Sequence, residues 1–480
     1  MINNAVKEGH PGEKVTLSRD ALGINQTYYS LLEDGRLFYS DDINSLADCP
    51  EIPGEIDDWS VYQYLSFRNT ISPHTIYKNI SSLRPGEEII YENGRLSRQK
   101  MKNCFGFDEV DITSDKAAAH LQGSVTKQIS QILNDSMDEI LESAGDKELR
   151  CFLSGGLDSS VTAALAAVKC ARFTAFTLDM KGGAAKFHDK EADVNAAKLL
   201  CDKYGIKQEI VSMEPADLID NLGQMLKDMG EPFSGTFSTW ILAREAAKSA
   251  DIILTGDGAD EVFAGYEPYK LAGSEGLSEI IGKMILMGDE SKEMFLGERL
   301  IPFAKEKATS SFIDVRIDEL CAHDDLNRLL EFDAGILLPD HVLRYASNFS
   351  RAHSVSLKSP FLNENLFRYM ARLSGDTKMP GKVTKALLRK AAKDILPPDI
   401  LQRKKEGFIM PIEDWMASGK RLKEFVTDIL SPVSLIGQDY LNPVSVQVLL
   451  KKYYDDPLNN PIFARIIWNF TCLVVWLNGQ

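Results

Sequence analysis

Leu149-Arg150-Cys151-Phe152-Leu153-Ser154-Gly155-Gly156-Leu157-Asp158-Ser159-Ser160 is the stretch on which the reading of the chain turns. Cys151, Phe152 and Leu153 form a short apolar run suited to a buried parallel strand. Ser154-Gly155-Gly156 has the backbone freedom of a tight loop. Ser159-Ser160 opens the Ala-rich segment Val161–Ala167, whose composition favours helix. A helix N-terminus carries free N–H groups and partial positive charge, so it receives phosphate oxygens. Hydroxyls at Ser154, Ser159 and Ser160 add donors there. Asp158 puts a carboxylate beside those phosphates, which makes sense if a divalent cation bridges them. No Gly-Lys-Ser/Thr follows, so the loop is not of the Walker type. A lone Gly-Gly would read as an ordinary turn; seven residues in this order, after an apolar run and before a helix, read as a phosphate cradle.

The 480 residues suffice for two or three domains, each with its own core. Hydrophobic content of 44% and charged content of 26% are those of a globular chain. A net charge of −16 argues against a nucleic-acid backbone as partner. The seven cysteines form no CxxC pair, which disfavours zinc and disulfide frameworks and fits a reducing, cytoplasmic location. The N-terminus has no apolar signal core, and no run reaches the ~20 apolar residues of a membrane helix. Ile466 to Leu477 is the most apolar tail; interrupted by Asn469 and Thr471, it reads as a buried terminal helix.

Upstream, residues 1 to about 103 read as mainly β. Gln26–Leu32 and Leu37–Ser40 pair around Glu33-Asp34-Gly35-Arg36, and a second hairpin turns at Glu92-Asn93-Gly94-Arg95. Asp58 to Phe67 reads as a helix. Residues 104–113 read as a linker, and Ser114 to Glu142 as a long helix. After the phosphate loop, strands at 171–178, 207–212 and 251–255 alternate with helices at 189–204, 215–229 and 238–249. That alternation implies a parallel sheet covered on both faces. Leu153, Leu178 and Thr255 end three strands and should crowd one edge, where ligands of such sheets sit.

The last strand runs into Thr255-Gly256-Asp257-Gly258-Ala259-Asp260-Glu261-Val262-Phe263-Ala264-Gly265-Tyr266. Three carboxylates within five residues repel unless a cation or proton relieves them. A metal ligand plus a general base is the functional reading; a solvated acidic loop is the bland one. Further on, Leu396 to Pro411 carries Arg403-Lys404-Lys405 in an otherwise acidic chain, cations suited to a triphosphate. Lys385 starts a helix with a basic face. His188, His323, His341 and His353 lack metal spacing and read as isolated core or surface histidines.

SGGLDSS resembles the pyrophosphate loop of ATP pyrophosphatases, which split ATP between its α and β phosphates. With 255–266 and 396–415, the whole pattern resembles the synthetase domain of the asparagine synthetase and β-lactam synthetase superfamily. The resemblance implies an α/β protein. Its C-terminal part (114–480) would be a doubly wound parallel sheet of the ATP-pyrophosphatase, adenine nucleotide α-hydrolase-like type, with a helical extension. Carried over, Asp158 and Asp260 match two magnesium-holding aspartates, and Asp257 matches the acid/base position. Lys405 falls on the lysine that holds pyrophosphate and the developing oxyanion. Leu153, Ser154, Gly155, Gly156, Asp158, Ser159, Ser160, Leu178, Thr255, Gly256 and Lys385 would contact ATP. Asp189 and Glu191 match an acidic pair. Where the family shows an Asp-Arg pair and a Glu, this chain has Ser347-Asn348 and Ser356, which speaks against aspartate as substrate.

The first 103 residues resemble the family's glutaminase domain, through Arg19-Asp20-Ala21-Leu22-Gly23, Ser40–Leu46 and Leu83-Arg84-Pro85-Gly86. That family hydrolyses glutamine with a cysteine at the mature N-terminus. Here Met1 is followed by Ile2 and the first cysteine is Cys49. The expectation is a truncated Ntn-hydrolase-like α+β domain that is catalytically dead. The function implied is an ATP- and Mg²⁺-dependent amide synthetase that adenylates a carboxylate and condenses it with an amine. The amine would not come from glutamine; an intramolecular amine, as in β-lactam synthetases, points to specialised-metabolite (antibiotic) biosynthesis. Ammonia-dependent asparagine synthesis is one alternative, and a non-catalytic nucleotide-binding regulator another. Small-molecule carboxylate and amine substrates are the expected partners, with neither nucleic acid nor membrane, and a homodimer as one expected assembly.

Overall fold

The computed structural model describes residues 6–98, 115–170, 173–182, 190–403 and 410–479. The N-terminal segment holds β1 (Lys7–Gly9), β2 (Lys14–Ser18), β3 (Tyr28–Leu31), β4 (Leu37–Ser40), helix α1 (Ile43–Ala47), helix α2 (Asp58–Phe67), β5 (Ser81–Ser82), β6 (Glu88–Glu92) and β7 (Arg95–Arg98). They form a four-stranded sheet, β1-β4-β3-β5, and a three-stranded one, β2-β6-β7. The β3–β4 and β6–β7 hairpins are antiparallel, as the turn residues imply. Strand β1 has no apolar residue to mark it, and β2 alternates only briefly, with Val15 half-buried and Leu17 buried between exposed polar residues. The linker expected at 104–113 lies outside the described residues.

Helix α3 (Asp115–Ala144) leads to β8 (Leu149–Phe152), α4 (Leu157–Lys169), β9 (Thr174–Met180), α5 (Lys190–Tyr204), β10 (Lys207–Met213), α6 (Pro215–Met229), α7 (Ser238–Ala246), β11 (Ile252–Leu254) and α8 (Ala259–Phe263). A late strand, β12 (Ser356–Lys358), completes a five-stranded sheet in the order β10-β9-β8-β11-β12. All four pairings are parallel. The chain moves outward from β8 to β10 and then returns past β8 to β11. That reversal puts the crevice of the fold at the carboxyl ends of β8 and β11. The β12 triplet has too short a pattern to be read from sequence; its register against β11 (Ile252↔Ser356) makes it a strand.

Two large apolar cores cover the sheet. One gathers α4, α5, residues of α3 and the 386–400 segment. The other runs without a break from Tyr28, Phe38 and Val61 of the N-terminal segment through α6 and α7 to Trp468 and Phe470. Those last residues belong to the Pro461–Asn478 helix, which is long and apolar enough to cross a membrane but is 61% buried in this core. The N-terminal segment and the parallel-sheet segment therefore share one interior.

A buried charge network locks that junction. Asp340, 1% exposed, accepts from Arg19 at 3.2 Å and Arg344 at 3.1 Å, and from the Ser72 N–H and hydroxyl at 2.8 and 2.6 Å. Arg344 also donates to Glu231 at 2.9 Å, whose other oxygen receives Thr70 Oγ1 and the Ile76 N–H, both at 2.7 Å. Burial pushes the Asp340 carboxyl up, but Arg344 and Arg19 outweigh it and hold it below the usual carboxylate range. Asp340→Ala would leave two buried guanidinium groups without their shared anion. The expected loss is about 3–5 kcal/mol of unfolding free energy in urea denaturation; a loss below about 1 kcal/mol would show that the junction does not depend on this charge.

Candidate active site

The loop after β8 and the loop after β11 meet backbone to backbone. A Cβ on Gly256 would lie 2.8 Å from Asp158 Cβ and 2.9 Å from the Ser159 nitrogen, so only glycine closes the gap. Gly155 takes φ +73°, and a Cβ there would strike the Asp193 carbonyl of α5 at 2.3 Å. Gly156 caps α4 with no side-chain hydrogen bond to its first turn, leaving first-turn N–H groups for a ligand. Ser154 and Ser159 hydroxyls lie 3.0 Å apart beside them.

Lys385 joins the two loops. Its ammonium lies 2.5 Å from Asp158 Oδ2 and 2.6 Å from Asp260 Oδ1. Burial opposes the charge on Lys385, but the two carboxylates outweigh it and raise its pKa. The residue adopts φ +53°, a left-handed conformation that carries the side chain into the crevice. Gly265 makes room: a Cβ there would fall 1.8 Å from Asp260 Oδ1 and 2.2 Å from Lys385 Cε. Two aspartates 102 positions apart thus share one cation. Among the described residues no three His, Cys, Asp or Glu side chains converge on a metal position. Two carboxylates completed by phosphate oxygens are, however, a usual donor set for Mg²⁺.

These groups wall a cavity of about 490 Å³. Its cationic flank is Lys385, Arg389 and Arg403, the last donating to the Gly155 carbonyl at 3.1 Å and to Asp193 Oδ1 at 2.6 Å. An apolar strip of Phe152, Phe176, Leu178, Leu242 and Leu357 follows. A third region holds Asp257, Glu261, Asp333, Tyr266, His341 and Tyr345. Burial, then Asp158 and Asp260, push the Asp257 carboxyl up to about 6, although Thr255 Oγ1 donates to it at 2.8 Å. Burial and the neighbouring Asp333 and Asp260 push Glu261 up as well, and Tyr266 OH donates to it at 2.8 Å.

Leu153, Ser154, Gly156, Asp158, Ser159, Leu178, Thr255, Gly256, Asp257, Asp260 and Lys385 all line this cavity, so the structure brings them together. Gly155 and Ser160 do not line it. Ser160 is fully buried in the first turn of α4, and Gly155 packs against α5. Lys405 and Asp189 lie outside the described residues. Glu191 is exposed, and Asp193, two residues further on, is the α5 acid that Arg403 holds. Ser347, Asn348 and Ser356 are off the wall: Asn348 is buried and donates to the Met229 carbonyl at 2.9 Å. The small neutral groups there therefore say little about this cavity. His341, read from sequence as an isolated histidine, is on the wall, with Nδ1 2.7 Å from Asn69 Oδ1. Its signal was hidden because residues 333–342 form a wide π-type turn around Pro339, which no helical period describes.

The asparagine synthase family profile matches residues 128–478, and the glutamine amidotransferase domain profile matches residues 9–102. Asparagine synthetase [glutamine-hydrolyzing] 1 of Bacillus subtilis is 26% identical over 96% of this chain and 74% of its own length. A putative asparagine synthetase [glutamine-hydrolyzing] of Mycobacterium bovis is 24% identical over 85% of this chain and 66% of its own. Asparagine synthetase [glutamine-hydrolyzing] 3 of B. subtilis is 23% identical over 82% and 64%. The chain thus spans about two thirds to three quarters of the length of these relatives.

Gly265→Ala should push Asp260 and Lys385 apart and weaken Mg·ATP binding at least tenfold by calorimetry. Gly282→Ala, in a helix with open space around it, is the control and should leave affinity unchanged. Equal affinities would show that the Lys385 pairing is not part of nucleotide binding.

Proposed function

The chain belongs to the asparagine synthase family of ATP-dependent carbon–nitrogen ligases, and on that premise we propose that it adenylates a small-molecule carboxylate and joins it to an amine not drawn from glutamine. The observation that carries this reading is the Lys385 ammonium between Asp158 and Asp260 at the mouth of α4. Carboxylates there gather cations, while the α4 N-terminus and the Lys385, Arg389 and Arg403 side chains gather phosphate oxygens. When bound, Mg²⁺ on Asp158 and Asp260 would neutralise triphosphate charge. Phe152, Phe176 and Leu178 offer an apolar surface for the adenine.

The reaction balances simply. A carboxylate oxygen attacks the α phosphorus, pyrophosphate leaves, and the acyl-adenylate stays in the cavity. An amine nitrogen then attacks the acyl carbon, AMP leaves, and the amine gives up a proton. Asp257 is the acceptor: its carboxyl lies near 6, ionised at neutral pH yet more basic than an exposed aspartate. Lys405, from the motif at 396–411, would steady the negative charge on the reacting carbonyl.

The cysteines support an amine not drawn from glutamine. Cys49 is the one cysteine within the amidotransferase-like residues 9–102. Burial and the Glu51 carboxylate to which it donates at 3.1 Å push its thiol up, away from a reactive thiolate. Ammonia, a separate amine, or an amine on the same molecule are then the proposed sources. The last would make the product a ring, in keeping with specialised-metabolite biosynthesis. Ammonia-dependent asparagine synthesis is the second reading, favoured by the names of the relatives alone.

A pyrophosphate-release screen over α-, β- and γ-amino acids, with and without ammonium, tests the proposal. Release that depends on a carboxylate, and that Asp158→Asn lowers at least a hundredfold, is the expected result. Asp257→Asn should leave pyrophosphate release within threefold while amide yield falls at least tenfold. Lys405→Ala should lower turnover by two or more orders of magnitude with ATP affinity little changed. ATP binding without carboxylate-dependent release would favour a nucleotide-binding regulator instead.

A further inference from the structure

Phe67 and Arg68 are the described residues of the N-terminal segment that reach the cavity wall. Arg68 follows the last residue of α2 as its C-cap. Its backbone is left-handed, φ 66°, with its N–H on the Tyr64 carbonyl at 2.8 Å. A residue with a side chain costs roughly 1 kcal/mol in that conformation, where glycine costs almost nothing. The strained cap is occupied by a long cation, and it sits at the cavity. Lys385, also on the cavity wall, shares both features.

The guanidinium of Arg68 makes no hydrogen bond or ion pair among the described residues. The charged and titratable groups around it are Tyr64, Tyr345, His341, Arg465 and Glu413. Glu413, the one carboxylate of these, is already paired with Arg465. Burial and Arg465 work against the Arg68 charge, and burial with Arg68 and Arg344 keeps the His341 imidazole neutral. Arg68 is half-buried and opens on the cavity, and a guanidinium partly withdrawn from water with no counter-ion is a ready receptor for an anion.

We propose that Arg68 is the receptor for an anionic group on the acyl substrate, so that the amidotransferase-like segment, whatever its own chemistry, completes the substrate site of the synthetase. This rests on the amide-synthetase reading and deepens it. The triphosphate is not the expected anion, because Lys385, Arg389 and Arg403 serve it at the α4 end. Tyr345, on the same cavity wall, is near enough to feel Asp257, Glu261 and Arg68. The reacting carboxylate lies toward Asp257 and a second, unreacting carboxylate toward Arg68. Guanidinium is suited to this work, since its planar fork meets a carboxylate with two parallel hydrogen bonds.

The test uses the full chain saturated with Mg²⁺ and α,β-methylene-ATP, titrated calorimetrically with succinate, glutarate, L-aspartate and L-glutamate. Each is set against its mono-amide: succinamate, glutaramate, L-asparagine and L-glutamine. Wild type is expected to bind at least one dicarboxylate tenfold or more tightly than its mono-amide. Arg68→Gln should erase that preference, and Arg68→Lys should keep part of it. Arg68→Gln should also bind the nucleotide within twofold of wild type and melt no lower, since the guanidinium it removes has no partner among the described residues. No dicarboxylate preference in wild type, or a preference that survives in Arg68→Gln, would overturn the proposal. Failure of wild type to bind the nucleotide would count instead against the amide-synthetase reading beneath it.

Discussion

One ammonium between two carboxylates holds the site together. Lys385 reaches Asp158 on the loop after β8 and Asp260 on the loop after β11. Without it, two acids would face each other across a buried crevice. Their repulsion would have to be relieved by protonation, and carboxyls so relieved make poor cation ligands. The close approach has steric conditions. Gly256 lets the two loops touch, and Gly265 leaves room for the Asp260–Lys385 pair. Burial, with the charges of Asp158 and Asp260 added to it, raises Asp257 into the range where a carboxylate can take a proton. Charge pairing, glycine placement and base strength are one arrangement.

The sheet supplies the frame for this arrangement. Its connections reverse between β8 and β11, so two loops from distant parts of the chain end side by side. The N-terminal segment is not a separate bead on this frame. It shares an apolar core with α6, α7 and the last helix, and Asp340, Arg344 and Glu231 tie it down through buried hydrogen bonds. A segment fastened so firmly can place side chains in the crevice with little freedom, as Arg68 illustrates.

Much of this was legible in the residues, and the rest was not for physical reasons. The loop at 153–160 and the acidic run at 255–266 announce themselves, because glycine, hydroxyl and carboxylate in fixed order have few other uses. Helix α6 spans Pro215 to Met229 as its pattern implies, helped by a capping box at Glu214 and Asp217 and a left-handed Gly230. Strand β12 was hidden, since three residues carry no period. His341 and Asp333 were hidden by a π-type turn. Arg68 was hidden because a single arginine at a helix end looks like any solvated charge until the cavity is seen. Asp193 was missed for Glu191 because helical phase decides which acid faces the loop, and that phase is fixed by the contact with Arg403.

The central claim is that Asp158 and Asp260 act on one shared cation and not as two independent acids. A double-mutant cycle with Asp158→Asn and Asp260→Asn, read as the affinity for Mg·ATP, measures this directly. The account predicts strong non-additivity, with the double variant little worse than either single one and a coupling energy above about 1 kcal/mol. Strict additivity of the two losses would contradict it.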